Sequence, residues 1–358
     1  MIKNESINIK PGLPFQSDIE SITSEFSLEA WRTFSEKTIL ITGASGFLGK
    51  WLLLSLLAAE RKFELGMRII CLTRDLSTLK ARLPETLIES PVTWIEGDVR
   101  SSSIYDNIPR TSIVIHGAVD IANIVDPLEM FSICTEGTHR VVEFAKKNDV
   151  EKFLLLSSGA VYGSHENAID GFGENALQAP ALNHVNSVYG EGKRASELLA
   201  NSLNFSCGSD VLTARIYAQI GPYLPLDKHF AVGNFLLSAI TESDFQIKGD
   251  GTSFRSYMYV TDTIKSLLSM LMFQKNIGVW NVGSDQKISI QELAELVREN
   301  FSPKSEVKIA KQKISGSAID YYVPNVTRLH EQVLSWEPVS LDSALKRMYS
   351  WLKGNFQI

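Results

Sequence analysis

The chain has 358 residues, of which 44% are hydrophobic and 21% are charged, as in an ordinary globular protein with one large core and a second, smaller lobe. Its formal net charge is -6, so it lacks the excess of cations that a nucleic-acid backbone attracts, and we expect no nucleic-acid partner. Small anionic ligands would have to be held by local cations instead.

The apolar stretches predict no membrane segment. Residues 1–12 are polar and lack the apolar core of a signal peptide, and the longest apolar stretch, Trp51 to Ala59, is too short to span a bilayer. We therefore expect a cytoplasmic protein with no membrane partner.

The cysteines and histidines predict neither a metal site nor a disulfide framework. Cys71, Cys134 and Cys207 are odd in number, widely spaced and outside any Cys-x-x-Cys pattern. The six histidines form no closely spaced pair of ligands. We therefore assign no metal to the chain.

Residues 1–37 precede the first strong strand pattern and are predicted to form a helical arm, since Asp18 to Phe34 carries apolar residues at helical spacing. From residue 38 onward, β-like runs alternate with helical patterns. The runs are Thr38 to Thr42, Arg68 to Thr73, Val92 to Glu96, Ser112 to His116, Lys152 to Ser157 and Val211 to Ile216. This alternation predicts an α/β Rossmann domain, a doubly wound parallel sheet, over residues 38–216.

The segments between and after these strands complete the predicted fold. Glu136 to Lys147 and Val188 to Asn201 are amphipathic and fit crossover helices. Further on, Ser289 and Glu292 predict a capping box that begins the helix Ile290 to Asn300. Residues 217–358 are expected to form mainly a smaller C-terminal substrate-binding lobe, with part of residues 255–284 returning to the Rossmann domain.

The first strand runs directly into a glycine-rich turn. Gly43 can take the tight turn, Gly46 lets a pyrophosphate approach the backbone, and Gly49 permits close packing of the next helix, whose N-terminus faces the negative charge. A turn that merely reverses the chain is the alternative, and the apolar strand before it and the apolar helix after it argue against that. The predicted dinucleotide-binding residues of this turn are Gly43, Ser45, Gly46, Phe47, Leu48 and Gly49.

The end of the second strand indicates which dinucleotide is bound. NAD enzymes place an acid there for the ribose 2′-hydroxyl, whereas this chain has Thr73-Arg74-Asp75. The Arg74 guanidinium favours the 2′-phosphate of NADP. If Asp75 turns towards the ribose instead, NAD is the cofactor. NADP(H) is therefore favoured, with NAD(H) as the alternative.

Residues after the third and fourth strands are expected to complete the cofactor site. Asp98 can accept a hydrogen bond from the adenine amino group, or it can be an ordinary turn aspartate. Val99 and Ala118 follow the ends of the two strands, at the same predicted edge of the sheet, and are assigned to the same site.

Tyr189 and Lys193 are the candidate acid/base pair. Their i, i+4 spacing at the start of a helix places the phenol and the ammonium on one face. The cation is expected to lower the pKa of the tyrosine from about 10 towards neutrality, so that the phenol can exchange a proton with a sugar oxygen. Lys193 can also bond to the nicotinamide ribose.

Ser157 and Ser158 end a buried strand pattern one crossover earlier, at the edge of the sheet where ligands of doubly wound folds bind. Ser158 can donate a hydrogen bond to the reacting oxygen of a substrate. One of the two hydroxyls is expected to cap the strand end instead.

Together these motifs resemble the extended short-chain dehydrogenase/reductase family of nucleotide-sugar epimerases, dehydratases and reductases. The resemblance covers nearly all of the chain from Lys37 to Lys353. Its motifs are Thr42 to Gly49, Gly97-Asp98-Val99, Ser157 to Gly163, Tyr189 with Lys193, Gly221-Pro222, and Gly249 to Gly251 followed by Arg255, Tyr259, Val260 and Asp262. The resemblance implies that Ser158, Tyr189 and Lys193 are catalytic.

The resemblance also implies a substrate and a partner. Arg255 would bind the diphosphate of a nucleotide-diphosphate sugar; from the residues alone, a surface ion pair with Asp250 is the alternative. Two copies of the chain would form a homodimer through the helices Glu136 to Lys147 and Val188 to Asn201.

The chain departs from the family at several positions. The 4,6-dehydratases carry an acid pair directly after the catalytic hydroxyl, and this chain has Gly159 and Ala160 there, which disfavours dehydration. The usual asparagines before the Glu-Gly segment and before Gly-Pro are Cys134 and Ala218 here. Substrate contacts transferred from the family are therefore least secure near these two positions.

The leading hypothesis is an NADPH-dependent reductase of the C4 keto group of a nucleotide-diphospho-4-keto-6-deoxy sugar, because of Arg74 and the missing acid pair. The alternative is an NAD-dependent nucleotide-sugar 4-epimerase that uses the same three residues. A dinucleotide-sensing regulator on the same fold is a third, less favoured hypothesis, since it needs only the glycine turn.

Overall fold

The computed structural model describes residues 13–77, 79, 91–119, 126–228, 230–314 and 316–355, so the first twelve residues of the predicted arm lie outside it. Within these ranges the strands are β1 Thr38–Thr42, β2 Arg68–Thr73, β3 Val92–Glu96, β4 Ile113–His116, β5 Lys152–Ser158, β6 Asp210–Ile216, β7 Gln219–Ile220, β8 Phe245–Ile247, β9 Phe254–Ser256, β10 Met258–Tyr259, β11 Ile277–Val282, β12 Lys287–Ser289, β13 Val307–Ile309 and β14 Tyr321–Tyr322. The α-helices are α1 Gln16–Glu25, α2 Leu28–Trp31, α3 Phe47–Phe63, α4 Pro127–Ser132, α5 Thr138–Lys147, α6 Val188–Cys207, α7 Ala231–Ile240, α8 Val260–Phe273, α9 Ile290–Phe301, α10 Thr327–Gln332 and α11 Leu341–Asn355.

Seven parallel strands form the main sheet, in the order β11-β6-β5-β4-β1-β2-β3. The six predicted β runs coincide with β1 to β6 to within one residue at each end. The order reverses between β1 and β4, which opens the crevice where doubly wound sheets bind their ligands. The predicted Rossmann fold is therefore confirmed.

Helices cover both faces of this sheet because side chains alternate along each strand. Ile39 and Ile41 of β1 point into one core, together with α3 and α8, whereas Leu40 points into the other core, together with α5 and α6. Every residue of β1 is buried. Its uninterrupted run of apolar and threonine residues is thus the pattern expected of a parallel strand covered on both sides.

The N-terminal arm forms two helices rather than the single one predicted over Asp18 to Phe34. Helix α1 ends at Glu25, and a new helix, α2, begins after Ser27. The Ser27 hydroxyl caps α2 by accepting a 3.2 Å hydrogen bond from the Ala30 backbone amide. The fully buried Asp18 anchors the arm, since its carboxylate accepts hydrogen bonds from Tyr259 Oη at 2.7 Å and from Arg347 Nη1 at 2.6 Å. The arm is therefore tied to β10 and α11.

The chain after β6 builds the smaller lobe from short elements. Small sheets pair β7 with β10, β8 with β13, and β9 with both β12 and β14. Ser289 and Glu292 form the predicted capping box of α9, with bonds of 3.1 Å and 2.8 Å. The chain returns to the main sheet at β11, which pairs with β6. None of the helices in the described ranges is long and apolar enough to cross a membrane.

Candidate active site

The glycine turn after β1 has the close geometry that only glycine permits. Gly43 adopts φ +80°, and a Cβ atom there would lie 2.5 Å from the backbone oxygen of Gly117. Gly49 lies against the turn, since a Cβ on it would be 2.7 Å from the Cα of Ala44. These two glycines therefore make the tight turn and the close helix packing that were predicted for them.

The N-terminus of α3 forms a cradle next to this turn. Gly46 is the N-cap, so it supplies no side-chain acceptor to the amide groups of the first turn, which begins at Phe47. Ser45 and Gly46 are exposed. The backbone amide of Ala118 lies next to the turn, since a Cβ atom on Gly43 would be 3.0 Å from its nitrogen. Open backbone amides at a helix N-terminus fit a pyrophosphate, so these residues could hold the phosphates of a dinucleotide.

Arg74 lies at the predicted ribose end of the cleft. β2 ends at Thr73, and the exposed Arg74 follows directly. The Asp75 carboxylate is engaged locally, because its Oδ1 accepts hydrogen bonds from Ser77 N at 2.8 Å and from Ser77 Oγ at 2.7 Å. Which of Arg74 and Asp75 faces the ribose stays a prediction.

Asp98 forms a bidentate ion pair that the sequence did not indicate. Arg100 donates from Nε to Asp98 Oδ1 at 2.9 Å and from Nη2 to Oδ2 at 2.6 Å. Hydrogen bonding from Arg100 lowers the pKa of Asp98, and the positive charge of Arg74 adds to this effect. The geometry is that of the turn aspartate alternative, and the contact with adenine stays a prediction.

Val99, next to Asp98, is buried, and its backbone oxygen accepts a 2.7 Å hydrogen bond from the Tyr105 hydroxyl.

The candidate acid/base residues lie at the start of α6. Tyr189 is half-buried in the first turn, and Lys193, one turn later, is 4% exposed. The Lys193 ammonium donates a 2.7 Å hydrogen bond to the backbone oxygen of Leu156 in β5. Burial lowers the pKa of Lys193. The ammonium is therefore fixed at the carboxyl end of β5.

The pKa of Tyr189 differs from the expectation. Burial raises the pKa of the Tyr189 phenol, and its hydrogen bond with Ser158 offsets only part of that rise. The expected fall towards neutrality is wrong for this structure. The physical reason is that burial of the phenol disfavours the phenolate, while the Lys193 ammonium bonds to the Leu156 backbone oxygen.

The two serines at the end of β5 have different surroundings. Ser157 donates a 2.6 Å hydrogen bond to Glu197 Oε1 of α6 and therefore joins the strand to that helix. Ser158 Oγ accepts a 3.1 Å bond from the Ala160 amide and also faces the Tyr189 phenol. Of the two hydroxyls, Ser158 is thus the one at the candidate site.

A buried ion pair lies behind these serines. Arg215 of β6 donates to both carboxylate oxygens of Glu197, at 3.0 Å and 2.7 Å, and its Nη1 donates to Tyr162 Oη at 2.8 Å. Both charged side chains are largely buried. Since Glu197 follows Lys193 by one turn, this network holds the part of α6 that carries the candidate acid/base residues.

An aromatic cluster that sequence reasoning missed borders Ser158. The Tyr322 hydroxyl of β14 lies 3.5 Å from Ser158 Oγ. The ring of Tyr322 packs against Tyr217 and His165, with centroid distances of 4.7 Å and 4.9 Å. His165 Nε2 lies 3.3 Å from the Tyr217 hydroxyl. No local motif marks these residues, because they come from separate parts of the chain.

Arg255, the predicted diphosphate ligand, lies on β9 near this cluster. Its Nη2 is 2.8 Å from Asp320 Oδ2, and its guanidinium carbon is 5.7 Å from the centroid of the Tyr322 ring. The alternative pairing with Asp250 is wrong, since the Asp250 carboxylate instead accepts hydrogen bonds from Thr252. The contact of Arg255 with a diphosphate stays a prediction.

Cys134, which replaces the family's asparagine, packs helices together. It lies in a π-helical turn, Ile133–Gly137, directly before α5. The last two residues of this turn, Glu136 and Gly137, are the first two of the helix predicted from Glu136. Cys134 is fully buried, and its Sγ would lie 3.2 Å from a Cβ on Gly192 of α6. A larger side chain would therefore push α6 away.

Comparison with known proteins agrees with this geometry. Residues 39–283 match the NAD dependent epimerase/dehydratase family. The chain is 28% identical over 320 residues to UDP-glucuronic acid decarboxylase 1 of Arabidopsis thaliana, covering 87% of this chain and 69% of that protein. It is 26% identical over 340 residues to UDP-glucuronate 4-epimerase of Thermodesulfobacterium geofontis, covering 89% and 97%.

The fold is also that of solved members of this group. UDP-glucose 4-epimerase from Thermotoga maritima, solved with UDP-glucose, superposes with a TM-score of 0.69 at 22% identity and covers 88% of this chain and 99% of that one. The family resemblance deduced from the motifs is therefore confirmed. The chain belongs to the NAD dependent epimerase/dehydratase family of nucleotide-sugar enzymes.

Proposed function

We propose that this protein is an NAD-dependent 4-epimerase of a nucleotide-diphosphate sugar. The observation that carries the proposal is the meeting of Ser158, Tyr189 and Lys193 at the carboxyl end of β5, where the serine hydroxyl faces the phenol. The family membership supports NAD, and a UDP-glucuronate 4-epimerase is among the relatives. A regulator that only senses a dinucleotide would need none of these three side chains.

The side chains divide the work at C4 of the sugar. A nicotinamide dinucleotide, whose phosphates the turn around Gly43 and Gly46 would hold, would supply hydride chemistry at C4. Ser158 would hold and polarise the C4 oxygen, and Tyr189, which must first lose its own proton, would take the proton of that oxygen as the phenolate while the C4–H bond breaks. Tyr189 gives the proton back when hydride reaches the opposite face of the resulting ketone, so the net reaction inverts C4 and consumes no cofactor.

Elimination of water is not part of the proposal. An acid next to Ser158 would be needed to move a second proton, and residue 159 is a glycine whose Cβ position is filled by the ring of Tyr217. The described geometry therefore supports hydride transfer at C4 without dehydration.

NADPH-dependent reduction of a 4-keto-6-deoxy sugar is the second candidate. Arg74 favours it, because its guanidinium follows β2 directly while Asp75 is engaged by Ser77. The raised pKa of Tyr189 also favours it, since a protonated phenol is the form that donates to a ketone oxygen. We rank this candidate second, because the family description and the UDP-glucuronate 4-epimerase relative support the epimerase.

Identification of the bound dinucleotide and of the product tests the choice. The purified protein is denatured and the released dinucleotide is identified by mass spectrometry; UDP-glucose, UDP-galactose and their N-acetylated forms are then incubated with native enzyme and followed by NMR. We expect retained NAD and interconversion of C4 epimers without added cofactor. Consumption of NADPH with a 4-keto sugar nucleotide, and no epimer formation, would establish the reductase instead.

The homodimer also stays a proposal. Leu198 and Phe205 of α6 are 75% and 96% exposed, and Leu128 of α4 is 79% exposed. A second copy of α5 and α6 would cover such apolar side chains in a four-helix arrangement. Light scattering is expected to give a dimer that Leu198→Glu weakens; a wild-type monomer at the same concentration would contradict the arrangement.

A further inference from the structure

We propose that His116 is a positioning residue of the dinucleotide site: through a buried chain of hydrogen bonds, its neutral imidazole fixes the distance between the glycine turn at Gly43 and the start of α6, which carries Lys193. This inference rests on the proposed function, because it takes these two elements to bind one dinucleotide, at its pyrophosphate and at its nicotinamide ribose. It assigns a role to a buried histidine that the proposed reaction does not use.

The imidazole of His116 joins three elements of the fold. His116 ends β4, and its Nδ1 lies 2.7 Å from Thr42 Oγ1 of β1. Its Nε2 lies 3.0 Å from Oγ1 of Thr138, the first residue of α5. All three side chains are buried. One imidazole therefore links β1, β4 and α5 without a bridging water.

The hydrogen bonds continue from α5 into α6. The Thr138 hydroxyl donates to Ser196 Oγ at 3.1 Å, and Ser196 Oγ donates to the backbone oxygens of Cys134 and Gly192 at 2.8 Å and 3.0 Å. Ser196 is also buried. Gly192 directly precedes Lys193, so this hydrogen-bond chain, made of Thr42, His116, Thr138 and Ser196, ends beside the candidate acid/base residues.

The other end of the hydrogen-bond chain reaches the glycine turn. Thr42 directly precedes Gly43, and Thr42 Oγ1 accepts a 3.2 Å hydrogen bond from the Gly117 amide. Gly43 packs against the same residue, since a Cβ atom on Gly43 would lie 2.5 Å from the backbone oxygen of Gly117. The imidazole of His116 is therefore bonded both to the turn and, through two hydroxyls, to α6.

The backbone oxygens at the α6 end fix the direction of every hydrogen bond in the chain. Such oxygens can only accept, so the single hydroxyl proton of Ser196 is used there and Ser196 Oγ must accept from Thr138. The Thr138 proton is then used as well, so Thr138 Oγ1 accepts from His116 Nε2. In a neutral imidazole the other nitrogen, Nδ1, carries no proton and accepts from the Thr42 hydroxyl.

The surroundings of His116 keep its imidazole neutral. Burial lowers the pKa of His116 to about 3, and the positive charge of Lys193 acts in the same direction. A neutral imidazole has a single ring proton, whose position is set by the partners of the two nitrogens. The hydrogen-bond chain therefore predicts the Nε2–H tautomer for His116.

Thr213 provides a matched control for Thr138. It lies on β6 and is also buried, but its Oγ1 has no hydrogen-bond partner among the described residues. Replacing either threonine by valine removes one buried hydroxyl and keeps the shape of the side chain. Thr138→Ser keeps the hydroxyl and is the conservative variant. Ser196→Ala breaks the hydrogen-bond chain at a second point, in case Thr138→Val does not fold.

Calorimetric titration of protein freed of bound dinucleotide tests the distance, with NAD, NADP and ADP as probes, because ADP can contact the glycine turn but has no nicotinamide ribose. We expect Thr138→Val and Ser196→Ala to weaken binding of the preferred dinucleotide by about tenfold and binding of ADP by less than twofold. Thr138→Ser and Thr213→Val should change neither. Epimerisation by the two disruptive variants should show kcat lowered by about tenfold and KM for the nucleotide sugar within twofold of wild type.

The tautomer of His116 gives a second readout that needs no activity. Nitrogen NMR of protein with isotope-labelled histidine distinguishes protonated from unprotonated ring nitrogens, and loss of signals in His116→Gln assigns them. We expect the Nε2–H tautomer at neutral pH in wild type and in Thr213→Val. The Nδ1–H tautomer, or a doubly protonated ring, would overturn the described direction of the hydrogen-bond chain.

The remaining failures are distinct from one another. Wild-type dinucleotide binding by both Thr138→Val and Ser196→Ala would overturn the positioning role, and equal losses of dinucleotide and ADP binding would overturn the control of distance. Binding of no dinucleotide by wild type would overturn the proposed function and this inference with it. The expected binding differences without turnover of any nucleotide sugar would overturn only the proposed reaction.

Discussion

The ring of Tyr217 fills the space beside Gly159: a Cβ atom on Gly159 would lie 2.6 Å from Tyr217 Cζ. Tyr217 is buried and its hydroxyl lies 3.3 Å from His165 Nε2, so the ring is held from both sides. The position that follows Ser158 is therefore closed to any side chain, acidic ones included. Gly159 and Tyr217 form a matched pair, which explains in steric terms why the chain has no acid there.

Gly159→Ala is expected to lower the free energy of unfolding by about 1–3 kcal/mol, because the added methyl group forces the Tyr217 ring to move. Urea unfolding measures the change. Gly173→Ala is the matched control, since nothing lies within 4 Å of a Cβ there. Equal stability of the two variants would contradict the described fit.

Tyr189→Phe is expected to reduce kcat by about 10²- to 10⁴-fold, because the phenol is the proposed proton donor and acceptor at C4. Dinucleotide binding should stay within twofold of wild type. Tyr349→Phe, on α11, where the ring stacks on Phe301, is the control and should keep full activity. Turnover of Tyr189→Phe at the wild-type rate would remove the proposed acid/base role.

Arg215→Met is expected to destabilise the protein by about 3–5 kcal/mol, because it leaves the buried Glu197 carboxylate without its cation. Replacing both residues by methionine should cost less than Arg215→Met alone. The exposed Lys346–Asp342 pair is the control, and Lys346→Met should change stability by less than about 0.5 kcal/mol. A double variant as unstable as the sum of the single ones would argue against direct coupling.

His116 is expected to make the stability depend on pH. Burial lowers its pKa to about 3, from an ordinary value of 6.5 in the unfolded chain. Between these pH values the unfolded chain binds a proton that the folded protein does not, so the free energy of unfolding falls as the pH drops, by about 1.4 kcal/mol per pH unit from this group. Its contribution is fully present above about pH 6.5.

The His116 contribution is measured by urea unfolding between about pH 4 and pH 6, a range of about two units that lies within this window. His116→Gln should reduce the slope of stability against pH, whereas His139→Gln, which changes a half-exposed side chain on α5, should leave it unchanged. The same slope in wild type and His116→Gln would show that other groups cause the dependence.

Arg74→Ala is expected to weaken NADP binding by about tenfold or more while leaving NAD binding within twofold, since only NADP offers a 2′-phosphate to the guanidinium. Fluorescence titration measures both affinities. Arg110→Ala, an exposed change before β4 at the opposite edge of the sheet, is the control. If Arg74→Ala weakens both dinucleotides equally, Arg74 does not select between them.

Local patterns were sufficient for the strands and for the helix that carries Tyr189, and they were less reliable where tertiary contacts intervene. The predicted helix over Asp18 to Phe34 breaks before Ser27, because that side chain caps a new helix. The pKa of Tyr189 was predicted in the wrong direction, because its burial depends on side chains that the i, i+4 spacing to Lys193 does not reveal.

The sequence by itself determined the parallel sheet, the glycine turn at Gly43 and the spacing of Tyr189 and Lys193. Each of these depends on residues that are close together in the chain, so periodicity and steric rules at single positions are enough to predict it. The tertiary structure alone decided that Tyr322, 164 residues beyond Ser158, faces it, and that Arg255 pairs with Asp320 rather than Asp250. Such contacts depend on how the smaller lobe packs on the sheet, and no local pattern in the chain encodes that packing.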